Sequence, residues 1–324
     1  AVFAVCVLLY PWIVIAVIVF STGLDSTGRL FSEHASRFHL TGFHLALVLT
    51  VIALGANTFL RQRLVFPDFE LKGPLFLFLG VIAVSLLYSP NQPEATLGFL
   101  RMVSLILFLY MAQLMVDSRT AVWAVLWSMA LATLGGAILG AYQVITGRFQ
   151  MPVDVIQALG GNVPRATGMF HNPNIFATFL LSGVIPLLAV LVNYPMPLWK
   201  RLCFALAVVV SLAGVLASFS RSAWLATALG IVVLLWLSRK LKYLFLFGLL
   251  AFAAVLALKQ FVPFAAYLFE RFMSIFTFID EYGQVGQTSG TARVMLVMAA
   301  LSIFLEHPVL GVGWRGFPMV FAKY

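Results

Sequence analysis

Long apolar runs constrain this chain more than any other feature of its sequence. A run of about 20 apolar residues can cross the hydrocarbon core of a bilayer, about 30 Å thick, as one helix. The first run has neither a charged start nor a small-residue cleavage site, so we interpret it as a span rather than a signal peptide. We expect an all-α polytopic membrane protein with nine spans: residues 1–20, 40–60, 74–88, 98–116, 122–146, 175–193, 202–218, 222–237 and 243–258.

Composition excludes the main alternatives to a membrane protein. Of the 324 residues, 62% are hydrophobic and 10% are charged, and the mean hydropathy is +1.04. Soluble domains are closer to half apolar and a quarter charged, so an ordinary soluble protein and a disordered chain are both excluded. The formal net charge is +9. Because these charges lie between apolar runs, they indicate membrane orientation and anionic ligands, and we expect membrane lipids but no nucleic acid as partners.

The basic residues between the spans predict the orientation of the chain. The even-numbered connectors are short and hold nine Lys or Arg against three Asp or Glu, whereas the longer odd-numbered connectors hold nine against seven, Arg101 among them. Short basic connectors tend to stay in the cytoplasm. We therefore place the N-terminus and the even connectors inside, and the odd connectors outside.

The last part of the chain differs from the spans before it. We predict a transmembrane bundle over residues 1–258 and an outer loop region over residues 259–324. An apolar helix from Ala292 to Leu305 is too short to span comfortably, so we expect it to lie on the membrane or to pack over the bundle. A tenth span is the alternative.

Two of the predicted outer connectors place an arginine near the start of a helix. Arg165 comes shortly before Asn172, which is a good N-cap, and Pro173, which suits the first helical position. Arg221 lies in a tight turn between two spans, where Ser220 is the expected cap. Helix N-termini expose unpaired N–H groups and a partial positive charge, and a neighbouring guanidinium adds a fork that matches phosphate oxygens.

A third arginine follows the same pattern after the last span. Arg293 lies in the sequence SGTAR, where Ser289 or Thr291 would cap the following helix. If the three helix starts converge, they form a cradle for a diphosphate. The alternative for each arginine is that it extends to lipid headgroups or caps a neighbouring carbonyl.

Three segments together resemble a known family. The sequences RATGMFHNPNIFATFLL, SFSRSAWLA and SGTARVMLVMAALSIFLEHPVLGVGWRGF are similar, in this order, to the O-antigen ligase and polymerase superfamily, over roughly residues 160 to 320. The resemblance implies a membrane glycosyltransferase of the GT-C type, with a large periplasmic loop that contains short helices. Such enzymes take a glycan from an undecaprenyl diphosphate carrier at the periplasmic face of the bacterial inner membrane. The acceptor is lipid A core in ligases, another carrier-linked repeat in polymerases, and a protein in O-oligosaccharyltransferases.

The same resemblance assigns roles to single residues. It implies that Arg165, Arg221 and Arg293 hold the carrier diphosphate. The proposed catalytic histidine of the family lies in a His-Asn motif beyond Gly-Val-Gly-Trp-Arg-Gly-Phe, and this chain stops at Tyr324 before such a motif. We therefore expect the sequence to be a fragment, with further spans to follow, and the catalytic base is unassigned. Supporting residues are expected at His171, Asn172, Asn174, Ser220, Thr291 and Arg315.

Histidines and acidic residues predict chemistry without a metal or other cofactor. His171 is a weak candidate for a local base or hydrogen-bond donor, and the alternative is that it orders the turn before Asn172. Three further histidines are five residues apart, which spreads them around a helix, and the pair Asp280 and Glu281 is expected to be solvated. Arginines would then stabilise the leaving diphosphate in place of a metal ion, and the resemblance implies inversion at the sugar.

Two glycine patterns predict packing. Gly136 and Gly140 have the GxxxG spacing of a close contact between membrane helices. The glycines of residues 311–316, around Trp314 and Arg315, follow no strand, so they favour a tight turn that packs on a sugar or on the chain over a dinucleotide loop.

A transporter or flippase for an anionic lipid-linked substrate is the competing class. Transporters usually carry ionisable groups near the bilayer midplane and are built from two similar halves, and this sequence has neither feature. A structural scaffold fits the arginine turns less well. The leading prediction is an O-antigen ligase, with a polymerase or protein O-oligosaccharyltransferase as the alternative, because the sequence does not identify the acceptor.

Overall fold

Most described residues of the predicted spans are helical. The computed structural model describes residues 10, 12–22, 48, 51, 52, 55, 72–148, 155–158, 161–170, 172–243, 248 and 289–323. The helices are α1 (Trp12–Thr22), α2 (Lys72–Ser85), α3 (Gln92–Met115), α4 (Arg119–Thr146), α5 (Pro173–Asn193), α6 (Leu198–Ala217), α7 (Arg221–Leu237), α8 (Ser289–Glu306) and α9 (Phe317–Val320), with single 3-10 turns at Leu86–Tyr88 and Phe321–Lys323.

Length and apolarity separate these helices into two groups. Within the described residues, α3, α4, α5 and α6 are long and apolar enough to cross a membrane, and α1, α2, α7 and part of α8 are shorter apolar helices. The prediction of an all-α, multi-pass membrane protein is confirmed. Most of the predicted spans 40–60 and 243–258 lies outside the described residues, so the count of nine stays a prediction.

Helix α3 begins before the predicted span 98–116, and Arg101 was counted with a connector although it lies inside that span. Helix α3 begins at Gln92, capped by Asn91, whose side chain accepts a hydrogen bond from the N–H of Glu94 at 3.3 Å. Arg101 is therefore an exposed residue inside α3 and not part of a connector. The polar first turns of α3 dilute its apolar signal, and a span read from apolarity alone starts too late.

A short β-hairpin interrupts the helical order between α4 and α5. Strands β1 (Val155–Ala158) and β2 (Gly161–Pro164) pair antiparallel, with Val155 opposite Pro164 and Ala158 opposite Gly161. The sequence analysis did not anticipate it, because two four-residue strands leave almost no periodic signal. Since β2 ends at Pro164, the hairpin leads directly into Arg165.

The chain divides into two compact units, which are described here one at a time. The first consists of Ala1–Ala46 and Ser118–Phe276, and the second of Leu47–Asp117 and Thr277–Tyr324. The predicted domain boundary at residue 258 lies outside the described residues.

Small residues allow the helices of the first unit to approach closely. A Cβ added to Gly140 would lie 2.8 Å from the Phe176 ring, and one added to Gly214 would lie 2.7 Å from Leu180 Cδ1. Lipid tails give apolar helices no hydrophobic reason to associate, so close packing at small residues is what holds such a bundle together. The predicted helix contact at Gly136 and Gly140 is confirmed, with α5 as the partner.

Aromatic rings pack at one end of the first unit. Phe204 is fully buried and stacks on Trp123, with ring centroids 6.0 Å apart, and its ring centroid lies 4.6 Å from that of Trp127. Trp127 also stacks on Trp199 at 5.9 Å, and Lys200 Nζ lies 5.0 Å from the Trp123 ring centroid. We call this the aromatic end. Such belts of Trp and basic residues are typical of a membrane interface.

Candidate functional site

The opposite end of the first unit carries two of the predicted arginines. Helix α4 runs from the Trp123 region to Gln143, a rise of about 30 Å at 1.5 Å per residue. At that far end lie the loop 165–170, the turn 217–221, and the start of α5. We call this set of residues, together with Gln143, the arginine end.

Arg165 is bound to the C-terminal end of α6. Its Nε donates a hydrogen bond to the carbonyl oxygen of Ser218 at 2.8 Å, and the N–H of Ala166 donates to the carbonyl of Ala217 at 2.9 Å. These two adjacent bonds fix both the backbone and the guanidinium of the loop. Arg165 therefore lies against the turn that carries Arg221, although 53 residues separate it from Ser218.

Arg221 is the first residue of α7. The side chain of Ser220 caps the helix by accepting a hydrogen bond from the N–H of Ala223 at 3.4 Å, as the sequence predicts. Ser218 Oγ in turn accepts from the N–H of Ser220 at 3.2 Å. Because Arg221 occupies the first helical position, its charge adds to the partial positive charge of the α7 N-terminus.

The turn before Arg221 is held in a strained conformation. Phe219 has φ +50°, a left-handed conformation that bulky residues seldom adopt. Its ring is fully buried beside Trp224, whose Nε1 donates to the carbonyl of Val215 at 3.0 Å. Left-handed backbone costs an L-residue about 1–2 kcal/mol, and burial of the ring offsets it. The turn is thus fixed by its surroundings rather than by its own backbone preference.

The start of α5 has the predicted cap. Asn172 Oδ1 accepts a hydrogen bond from the N–H of Asn174 at 2.8 Å, and Pro173 is the first helical residue. Both features are confirmed. His171 lies outside the described residues, so its suggested role stays a prediction.

Gln143 is a residue of this end that the sequence analysis missed. Its side chain is 1% exposed and hydrogen-bonds to the backbone of Thr167 and Gly168. The available signal was an amide side chain in an otherwise apolar helix, since Gln143 is the one Asn or Gln in α4. A buried amide needs partners, which makes such a residue a marker for a polar contact.

Gly168 lies where the loop meets α5. Its φ of +56° belongs to the left-handed region, and a Cβ there would lie 2.7 Å from the fully buried ring of Phe176. Phe176 also packs against Gly140, so one ring fills the space between the loop, α4 and α5. Only glycine fits at position 168 without moving that ring.

The third predicted arginine belongs to the second unit. Arg293 is the fifth residue of α8, which begins at Ser289 and extends the helix predicted at 292–305. Ser289 and Thr291 consequently both lie inside the first turn of α8 and not before it, so neither of the two predicted residues is the N-cap. The side chains of these three residues lie outside the described part of the chain.

The turn around Trp314 and Arg315 packs on its own chain within the second unit. Trp314 N–H donates to Ser85 Oγ at 3.1 Å, and Ser89 Oγ donates to the Trp314 carbonyl at 2.9 Å. Arg315 Nη1 lies 2.7 Å from Glu94 Oε2, in an exposed ion pair. Of the two sequence-based alternatives for this turn, packing on the chain is the one observed. Arg315 is held by a carboxylate here, which gives it a structural partner.

The structure therefore brings Arg165 and Arg221 to one end of the first unit, with the capped starts of α5 and α7. Whether Arg293 joins them stays a prediction. Within the described residues, no group of three His, Cys, Asp or Glu side chains could hold a metal ion. The first unit contains no Asp or Glu among its described residues.

Comparison with known proteins gives one family. Residues 206–324 match the family model described as O-Antigen ligase, which confirms the resemblance to the O-antigen ligase and polymerase superfamily. The matched segment contains Arg221 and Arg293 but begins after Arg165. No curated protein and no solved structure matches the chain.

Proposed function

We propose that this chain, whose residues 206–324 match the O-antigen ligase family, transfers a glycan from undecaprenyl diphosphate to an acceptor. The match supports a membrane glycosyltransferase of the O-antigen ligase or polymerase type in general. One structural observation carries the finer proposal: the bond from Arg165 Nε to Ser218 O, which holds Arg165 against the Arg221 turn. We place this site at the periplasmic face of the bacterial inner membrane.

The chemistry of the leaving group explains the two arginines. When the glycosidic bond to the carrier breaks, the diphosphate gains negative charge, and preorganised donors at that position lower the barrier. Guanidinium forks match the geometry of phosphate oxygens, and helix N-termini add N–H donors. Arg221 at the start of α7 combines both features in one residue. Arg293, at the start of α8, would be the third contributor.

We propose that the reaction needs no metal ion. In our mechanism the arginines carry the charge that a metal would otherwise neutralise, and a base removes the proton of the acceptor hydroxyl. The acceptor oxygen attacks the anomeric carbon of the sugar from the side opposite the diphosphate. The new bond to the acceptor forms as the bond from that carbon to the diphosphate oxygen breaks, which gives inversion at the sugar. No described residue is assigned as that base.

Ligation to lipid A core is the leading proposal for the acceptor, because the matched family model is described as a ligase. A polymerase would use another carrier-linked repeat, and a protein O-oligosaccharyltransferase would use a protein hydroxyl. Supplying the three acceptors side by side to the full-length protein in membrane vesicles would separate them. A transporter is less well supported, because the Lys and Arg residues of α4 to α7 all lie in the first turn of a helix and not at midspan.

The proposal is tested by Arg221→Ala in the full-length protein. Loss of one preorganised charge at the leaving group should slow transfer from undecaprenyl-diphosphate-linked glycan by about 100-fold. Arg201→Ala is the matched control, because Arg201 also lies in the first turn of a helix but at the aromatic end. If Arg221→Ala and Arg201→Ala both transfer glycan at the wild-type rate, the diphosphate site is wrong.

Chelation tests the metal-free mechanism. We expect the same initial rate of transfer in membrane vesicles with and without EDTA, because arginines take the place of the metal ion. A strict requirement for an added divalent ion would contradict the mechanism and leave the family assignment intact.

A further inference from the structure

The side chain of Gln143 joins helix α4 to the loop that carries Arg165 by hydrogen bonds, which we call the tie. Its Oε1 accepts from the N–H of Thr167 at 3.0 Å, from the N–H of Gly168 at 2.8 Å, and from Thr167 Oγ1 at 3.4 Å. Its Nε2 donates to the carbonyl of Gly168 at 2.7 Å. One buried amide therefore pairs with both polar backbone groups of Gly168 and with the N–H of its neighbour.

Both partners of these hydrogen bonds are buried. A buried polar group that loses its partner is destabilising, so separating the amide of Gln143 from the loop amides is unfavourable for both. Gln143 lies in the last turn of α4, where its own carbonyl accepts from the N–H of Gly147 at 2.9 Å. The side chain thus extends from a hydrogen-bonded turn of the helix, and it fixes the position of the loop that it binds.

The loop has a second tie on its other side. Ala166 N–H and Arg165 Nε bond to the carbonyls of Ala217 and Ser218 at the end of α6. Two residues after Arg165, the bonds from Gln143 begin. Residues 165–168 are therefore held between α4 and α6, and the place of the guanidinium depends on both attachments.

We infer that Gln143 is a positioning residue for Arg165, which it holds against the Arg221 turn through the backbone of Thr167 and Gly168. Only the predicted effect of Gln143 on glycan transfer rests on the proposed function. The tie itself is a property of the fold and can be measured without activity.

Hydrogen exchange measures the tie directly. In the full-length protein in nanodiscs, Gln143→Met keeps the length of the side chain and removes its hydrogen bonds. We expect the amides of Thr167 and Gly168, each of which loses its hydrogen bond to Gln143, to exchange about 3- to 10-fold faster than in the wild type, the range that corresponds to one lost hydrogen bond per amide. Exchange at the start of α7, which Ser220 caps, should not change. Unchanged exchange in residues 165–170 would overturn the inference.

Two further variants separate this tie from general damage to the fold. Gln143→Glu retains an acceptor for Thr167 and Gly168 but lacks the amide donor to the Gly168 carbonyl. The loop amides of this variant should therefore exchange at rates nearer those of the wild type. Gln143→Glu carries the test if Gln143→Met does not fold. Thr133→Val removes another buried hydroxyl of α4, one that bonds to the carbonyls of Met129 and Ala130, and should leave the loop unchanged. If the loop amides exchange as fast in Thr133→Val as they do in Gln143→Met, the inference is overturned.

A double-mutant cycle tests whether Gln143 acts through Arg165. We expect Gln143→Met and Arg165→Ala each to slow transfer by about 10- to 100-fold, because a displacement near 1 Å can have an effect of that size. The double variant should be no slower than Arg165→Ala alone. Losses that multiply would show that Gln143 acts elsewhere and would overturn the inference. If Arg165→Ala transfers at the wild-type rate, the diphosphate proposal fails, and the exchange measurement alone decides whether Gln143 holds the loop.

Discussion

Lys240 and Arg221, which lie at the two ends of the first unit, occupy opposite electrostatic settings. At the aromatic end, Lys240 Nζ donates to the carbonyl of Val192 in the last turn of α5, and Lys200 lies over the rings of Trp123 and Trp199. Helix C-termini and ring faces carry partial negative charge. At the arginine end, Arg221 begins α7, where the helix contributes partial positive charge.

This difference separates a basic side chain that stabilises the protein from one suited to a ligand. Cations at the aromatic end are matched by partial charges of the protein itself, which is the arrangement expected of a membrane anchor. At Arg221 the charge and the helix dipole have the same sign, and such an arrangement attracts an anion. Among the described contacts, hydrogen bonds and buried side chains hold this end in place.

Phe204→Ala should have the largest effect, and that effect should be on stability. The ring is fully buried between Trp123 and Trp127, and truncating a buried Phe lowers the free energy of unfolding by about 3–5 kcal/mol. Because the aromatic end has no part in the proposed chemistry, transfer per folded molecule should change less than about twofold. Thermal denaturation in nanodiscs and a transfer assay on the same sample would measure both. A large loss of specific activity would remove the distinction between the two ends.

Gly168→Ala, at the arginine end, should affect glycan transfer more than stability, which is the reverse of the result expected for Phe204→Ala. A Cβ at this position meets the Phe176 ring and a φ of +56°, so the Arg165 loop must move. We expect transfer to fall by about 100-fold, with a smaller change in melting temperature than Phe204→Ala produces.

Gly135→Ala is the matched control for that variant. Nothing lies within 4 Å of a Cβ there, and the residue is within α4. Replacing a helical glycine by alanine should raise stability by about 0.5–1 kcal/mol and leave transfer unchanged. Equal activity losses in both glycine variants would contradict a special role for the loop.

Lys240→Met should have the smallest effect. The variant removes a hydrogen bond to the end of α5, where a basic group contributes about 0.3–1 kcal/mol. Lys242→Met, in which the removed ammonium lies 5.4 Å from the Tyr243 ring centroid, is the control and should change the unfolding free energy by less than about 0.5 kcal/mol. If Lys240→Met slows transfer as much as Gly168→Ala does, the contrast between the two ends is wrong.

The features of this chain that depend on a short segment were predictable from the sequence, and those that depend on pairing between segments were not. The caps at Asn172 and Ser220 depend on residues two and three positions apart, so the sequence contains all the information that they need. Arg101 was assigned wrongly to a connector, although it lies inside the predicted span 98–116. Hydropathy alone also missed the polar first turns of α3. The hairpin at residues 155–164 was missed because a two-strand ladder is a pairing between segments and not a periodicity within one.

By itself, the sequence determined the fold class, the approximate positions of the described spans, the helix starts capped by Asn172 and Ser220, and the family resemblance. These features depend on the length of apolar runs and on helix caps, which are properties of short segments of the sequence. The tertiary structure alone decided that Arg165 lies against the Arg221 turn, that Arg315 pairs with Glu94, and that Gln143 holds the loop. Those contacts join residues 53, 221 and 25 positions apart, and no pattern within one segment encodes which distant carbonyl or amide a side chain will reach.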